Sequence, residues 1–296
     1  MATPVDAKQR AISTYNAAAD FYDHPVNTFW EWYGQQTVSR LRLEAGAKIL
    51  DVCCGSGASA IPAAKAVGPN GFVLGIDLAE NLIELAKTKA RESGLENIEF
   101  RVADMLDLDL APSTFDVVIC VFGIFFVPDM QLAIQTLWKF LRPGGRLAIT
   151  TWGPRFFEPA NTAFWNAVRN ERADLYKGFN PWDRISEPES LRALLLSTGA
   201  ETPDVVPENR RHRLRSPEDW WPMVLGTGYR GTIEQLDAAQ QESVRKHCFE
   251  YVRTNGVESV EANVLYGLAT KSETYLLHWT ARCPLWVKSR HVRCKT

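Results

Sequence analysis

The sequence predicts an α/β protein: a three-layer sandwich around a mostly parallel central sheet. Two observations carry this expectation. From Lys48 to about Trp152, short runs rich in Val, Ile, Leu and Phe alternate with longer helical patterns, the mark of βαβ units. That richness in Val, Ile, Leu and Phe is what strands buried on both faces are expected to show.

The strand candidates are Lys48–Val52, Phe72–Ile76, Ile98–Val102, Phe115–Val121 and Arg146–Trp152. Between them, Glu80–Glu92 sets Ile83, Ala86 and Ala90 on one helical face. Met130–Leu141 reads as a helix that stops at Arg142-Pro143-Gly144-Gly145, a turn into the next strand. Further on, Ser186-Glu187-Pro188-Glu189 has the pattern of a capping box with proline in the first turn. Ser216-Pro217-Glu218-Asp219 is a second helix start, and one long helix is expected from about Ile233 to Arg253, stopped by Asn255-Gly256. Ala262–Ala269 reads as a final strand, and Gly153–Asn180 as loop plus one short helix. These boundaries give one domain over 1–271, made of an N-terminal lid (1–45), a binding core (46–152), a substrate-side helical insertion (153–260) and the last strand (261–271). Residues 272–296, rich in Lys and Arg, read as a tail or peripheral element, or as an oligomer or partner contact.

Composition narrows the function classes. With 46% hydrophobic and 23% charged residues among 296, the chain is an ordinary globular protein. A net charge of −2 gives no electrostatic reason to expect nucleic acid or an anionic membrane. No apolar run is long enough to span a bilayer, and Met1–Arg10 has no signal core. The six cysteines lack metal-ligand spacing and fit reduced thiols. The expectation is a cytoplasmic protein without a metal, monomeric or homodimeric.

The chemistry concentrates at Asp51-Val52-Cys53-Cys54-Gly55-Ser56-Gly57-Ala58, a glycine-rich turn between the first strand and a helix. Such a turn lets a ligand approach the backbone beside free helix N–H groups. On its own it also partly fits a dinucleotide motif. Asp77 closes the second strand where an acid meets a ribose diol in nucleotide-binding βαβ folds. Asp104 and Met105 follow the third strand, where a carboxylate and a backbone N–H can read an adenine edge. Asp51 inside the turn would repel a pyrophosphate and attract an ammonium, which favours a nucleoside–amino-acid ligand over NAD.

These residues resemble the class I S-adenosylmethionine-dependent methyltransferases, Rossmann-like enzymes, and within them the group near the ubiquinone and menaquinone methyltransferases. The resemblance rests on Ile49–Gly57, Gly75-Ile76-Asp77-Leu78, Ala103-Asp104-Met105, Phe115-Asp116-Val117-Val118 with Phe122–Asp129, and Leu141–Leu147. It covers residues 10–152 well, including a lid-like Tyr15–Asp23, and 153–271 in outline. It implies S-adenosylmethionine as cofactor and S-adenosylhomocysteine as product. Asp51, Gly55 and Gly57 would hold the methionine end, Asp77 and Leu78 the ribose and adenine face, and Asp104 and Met105 the adenine edge. Cys120 would offer backbone to the ammonium, and Tyr22 would close the pocket. Two departures stand out: Cys53 replaces a common glycine, and Phe125-Phe126 replace histidines that serve some relatives as bases.

Tyr15 and Tyr22 lie seven residues apart, which suits a packing stripe as well as a lid. His24 is a candidate proton acceptor, against the plainer reading of a surface histidine before Pro25. The reaction expected is in-line displacement by an O, N or C nucleophile of a small, partly apolar methyl acceptor. Trp30, Phe125, Phe126, Trp221 and Met223 would wall its pocket, with the Tyr15–Trp32 segment facing the helix after Ser216-Pro217. An NAD-dependent oxidoreductase and a non-catalytic cofactor-binding protein are the alternatives.

Overall fold

The structure, a computed structural model, describes residues 4–273. Two helices lead the chain, α1 (Pro4–Tyr22) and α2 (Phe29–Leu41). The core then alternates β1 (Lys48–Val52), α3 (Ala60–Val67), β2 (Phe72–Asp77), α4 (Glu80–Glu92), β3 (Ile98–Val102), β4 (Phe115–Val121), α5 (Met130–Phe140) and β5 (Leu141–Trp152). After it come α6 (Ala160–Glu171), α7 (Pro188–Leu196), β6 (Asp204–Glu208), β7 (Arg211–Arg213), α8 (Trp220–Leu225), α9 (Arg230–Ile233), α10 (Ala238–Thr254), β8 (Ser259–Glu261) and β9 (Val264–Thr270).

Seven strands form one sheet in the order β3-β2-β1-β4-β5-β9-β6. β9 runs antiparallel to both its neighbours and the β1–β5 pairs are all parallel, so a single strand is reversed. β4 shows why the strands read as continuous apolar runs: Val118 and Cys120 enter one core layer, Val117 and Ile119 the other. Ile119 is fully buried, and truncating such a side chain to alanine costs about 2–5 kcal/mol. The order reverses between β1 and β4, which opens a crevice at their C-terminal ends.

The structure differs from the sequence expectations in the connections. The strand expected from Arg146 begins at Leu141, because residues 142–145 loop out as an irregularity: Phe115 pairs with Leu141 and Val117 next with Arg146. The helix expected from about Ile233 begins instead at Ala238, where Asp237 and Gln240 form a capping box for α10, and the short α9 ends at Ile233. The box before α7 is closed by Glu187 and Ser190, one residue later than read. Gly153–Asn180 holds the three-turn α6, and β6 together with the β7–β8 pair had no alternating signal strong enough to announce them. The last strand begins at Val264 rather than Ala262. The tail lies outside the described residues from 274 onward. Among the described residues, no helix is long and apolar enough to cross a membrane, and no His/Cys/Asp/Glu group could hold a metal ion.

Candidate functional site

A cleft lies over the C-terminal ends of β1, β2 and β4. Its floor is the turn after β1, with Cys53 and Gly55, together with Asp77, Leu78 and Ala79 after β2. Val121 and Phe122 continue the floor after β4, and α1 lays Ala11, Ile12, Tyr15 and Tyr22 across the top.

The turn is held by its own backbone. Gly55 and Gly57 adopt φ of +54° and +88°, values open to glycine at little cost. Cys53 sits at φ +56° without that freedom, which explains why a glycine would be easier there and marks local strain. The Asp77 carboxylate ties β2 to the turn: one oxygen accepts the Gly55 N–H at 2.9 Å, the other the Ala79 N–H at 2.9 Å. Both oxygens keep lone pairs for a further donor.

The electrostatics are those of a site for positive charge. Burial pushes the Asp77 carboxyl up, against the lowering pull of its backbone donors. Asp51 is fully buried behind the turn, and its carboxyl is pushed up to about 7 by burial, countered by the Ser59 hydroxyl and reinforced by the charge of Asp77. Ser59 donates to one Asp51 oxygen at 2.7 Å, and the other has no partner. An orphaned buried carboxylate oxygen costs free energy until a cation or donor reaches its vicinity.

The roof is pinned rather than draped. Lys8 pairs with Asp104, Asn16 accepts the Asn81 N–H at 3.0 Å, and Asp23 accepts from Ser56 at 2.7 Å and from Lys89 at 3.2 Å. Tyr22 stacks on Trp30, ring centroids 4.9 Å apart and 3° from parallel, while Tyr15 meets Phe126 edge-on at 5.5 Å. Burial pushes both tyrosine hydroxyls well up, so they are neutral near pH 7.

Of the residues singled out from sequence, Tyr22, Trp30, Gly55, Asp77, Leu78 and Phe126 line this cleft together. Asp51, Gly57 and Cys120 stand one layer back, within the turn and the end of β4. Asp104 is engaged at the rim with Lys8 and the Leu106 N–H, and Ala103 is the residue of that segment that reaches the cleft. Met105 is buried with its sulfur 3.8 Å from that of Cys53. Phe125 lies behind Phe126, packed on Trp182.

Three expectations need correction. His24 is not at the cleft: its Nδ1 accepts the Val26 N–H at 3.3 Å and its ring stacks on Phe21. The α1–α2 corner does face α8, but through closed contacts: Asn27 donates to the Pro222 carbonyl at 3.0 Å and Trp30 to that of Gly226 at 3.3 Å. Met223 is fully buried in the core, and neither it nor Trp221 borders the cleft. Tryptophan-rich composition could not separate packing from lining. Ala11, Ile12, Ala103 and Phe122 were missed; for the first two the signal was the same helical stripe that holds Tyr15 and Tyr22.

Residues 43–184 match a family described as a methyltransferase domain. A demethylmenaquinone methyltransferase of Listeria welshimeri is 34% identical over 114 residues, which cover 38% of this chain and 48% of that protein. One from Lactococcus lactis is 35% identical over 144 residues, 47% of this chain and 57% of that protein. The chain thus spans about half the length of the curated relatives it matches. In fold it resembles the YcgJ protein of Bacillus subtilis, with a TM-score of 0.56 at 17% identity, covering 82% of this chain and 99% of that one. Residues 43–184 are thus similar in sequence to a methyltransferase domain, and the sheet topology resembles that of its structural neighbour.

Proposed function

We propose that the protein transfers a methyl group from S-adenosylmethionine to an O, N or C nucleophile of a small, partly apolar molecule. The observation that carries this reading is the pair of carboxylates around the glycine turn, Asp51 fully buried and Asp77 half-buried on the cleft floor. A ligand with an ammonium and a sulfonium supplies the positive charge that these acids lack, whereas a pyrophosphate would meet them as like charges. The free lone pairs of Asp77 suit a vicinal diol, Leu78 and Ala103 an adenine face, and Tyr15, Tyr22 and Phe126 an aromatic wall near a sulfonium.

Bound there, the cofactor supplies an electrophilic methyl whose leaving group is a neutral thioether, so no acid is required. What remains for the chain is alignment and the exclusion of water. The pinned α1 roof performs both, because its tyrosines close the cleft while β-strand ends fix the floor. Neither tyrosine is a base near neutral pH, and the Cys53 thiol is pushed up, first by its contact with Cys120 and then by burial. A nucleophile that arrives ionised fits such a site. The names of the relatives support a hydroxylated quinone or quinol as the acceptor, a compound class whose ring carbons become nucleophilic on ionisation.

The test is incubation with methyl-labelled S-adenosylmethionine and a reduced naphthoquinone lacking one ring methyl. Label in the product, with matching S-adenosylhomocysteine, is expected. Cofactor binding without label transfer would remove the quinol class, and no cofactor binding would remove the methyltransferase reading itself.

A further inference from the structure

The corner between α1 and α2 has a second face. Away from the cleft, Pro25, Val26 and Thr28 border a second, open cavity, with Arg210–Arg213, Arg215 and Asp219 on its other side. Four arginines border it against one acid.

That carboxylate is committed locally: Asp219 accepts the Arg215 backbone N–H at 2.8 Å and its Nε at 3.3 Å. Other acids nearby are also taken. Glu208 binds Arg40, Trp32 and Tyr266, and Glu261 binds Arg155. Arg211 donates to the Ser259 hydroxyl and carbonyl and lies across the β7–β8 pair from Glu261, a carboxylate already bound by Arg155. Among the described residues, no carboxylate pairs with Arg210 or Arg213. Arg210 lies flat on Trp32 at 3.8 Å, and its buried Nε has no partner.

His212 makes the second, independent observation. It lines the same cavity, is 9% exposed, and its buried Nε2 has no partner; Phe29 fixes the ring edge-on at 5.2 Å. Thr28, at the start of the four-turn α2, makes no side-chain capping bond, so the partial positive charge of that helix end adds to the same field. Crowded cations and an orphaned buried ring nitrogen are unfavourable unless something negative completes them. In a chain whose net charge is −2, this is a local device rather than a general basic surface.

We infer that this cavity is a second binding site, for a phosphate-class oxyanion, with Arg210, Arg213 and His212 as its principal contacts. The planar guanidinium fork matches phosphate oxygens two at a time, and the Trp32 face holds the Arg210 fork in place beforehand. The site is separate from the acid-floored cleft, where the same anion would be repelled.

Calorimetric titration of the full chain with inorganic phosphate and with pyrophosphate, at low and constant ionic strength, tests this. Saturable binding is expected, weakened at least tenfold in Arg213→Gln and in Arg210→Gln. Arg213 is exposed, so its replacement preserves the fold, and its affinity for adenosylhomocysteine should equal the parent's. A second arm uses sedimentation with vesicles of phosphatidylcholine, with or without phosphatidic acid. Binding of phosphate without vesicle binding assigns a soluble phosphoester. Co-sedimentation with phosphatidic acid that phosphate displaces and Arg213→Gln abolishes assigns a lipid headgroup. No saturable binding in either arm, or binding that neither arginine variant changes, overturns the proposal.

Discussion

Two cavities lie on either side of residues 22–32, and they are opposite in charge. On one side Tyr22 and Trp30 face a cleft whose floor carries Asp77, with Asp51 buried behind it. On the other, Pro25, Val26 and Thr28 face arginines and a histidine. Phe29 bridges them, touching Trp30 at 4.8 Å and His212 at 5.2 Å. Both regions hold charge that the fold itself leaves incompletely matched, so in both the missing partner predicts the sign of the ligand. The acidic cleft has one acid buried, one half-buried on its floor, and a pinned roof, which suits a ligand enclosed for chemistry. The basic cavity has exposed arginines, which suits a ligand held from outside.

The contrast can be broken most sharply at Asp77. Replacing it by alanine removes hydrogen bonds from a charged acceptor, worth about 1.5–3 kcal/mol, or roughly a 10- to 150-fold loss of adenosylhomocysteine affinity. Calorimetry reads this directly, and an unchanged dissociation constant would end the assignment. The same substitution should leave phosphate binding at the arginine cavity untouched.

Next in size is a pH effect from Asp51. Its folded carboxyl, lifted to about 7 from an ordinary 3.8, titrates later than in the unfolded chain. The free protein is therefore most stable at acid pH with respect to this group, loses stability as pH climbs from about 4 to 7, and levels off above. A cationic ligand prefers the ionised acid, so the rise in melting temperature caused by S-adenosylmethionine should grow between pH 6 and 8. In Asp51→Asn that growth should disappear. A parent protein whose ligand-induced shift is flat across this window would show that Asp51 does not sense the cofactor.

Smaller again is the Lys8–Asp104 pair, half-exposed on the lysine side. Lys8→Ala should weaken cofactor binding by less than about 1 kcal/mol, and less still at high salt. A tenfold loss would show that the pair gates the cleft. Smallest are His24→Ala and Trp221→Ala, which should leave kcat/KM on a verified acceptor within roughly twofold, the range of substitutions away from special features. A fall in turnover for His24→Ala that alkaline pH restores would bring the histidine back into the chemistry.

The floor of the cleft was readable because its chemistry is local in sequence. Asp51, Gly55 and Asp77 each sit at a strand end, where the βαβ pattern alone fixes what they face. The same holds for the sheet, whose parallel strands announce themselves by short β-rich runs, with β3 at the sheet edge alternating apolar and charged residues. The roof and the arginine cavity depend on contacts across long stretches of chain. Trp30 reaches Gly226, Trp32 reaches Glu208 and Arg210, and Asn27 reaches Pro222. Composition alone offered Trp221 and Met223 as equally good walls, and only packing shows that Met223 is core. Arg211, Arg213 and Arg215 alternate with buried His212 and Leu214, but the strand that uses this period, β7, is only three residues long and takes its place from pairing with the distant β8. His24 looked useful because it follows Tyr22, but the turn carries its ring back onto Phe21.

The central claim is that the cleft recognises a nucleoside bearing a positively charged amino acid through Asp77 on its floor and Asp51 buried behind it. Calorimetric titration of the parent and of Asp77→Ala with S-adenosylhomocysteine and with NAD, under one buffer, tests it most directly. The account predicts saturable S-adenosylhomocysteine binding that weakens at least tenfold in the variant, with no saturable heat from NAD. Saturable NAD binding by the parent, or S-adenosylhomocysteine binding that the variant leaves unchanged, would contradict it.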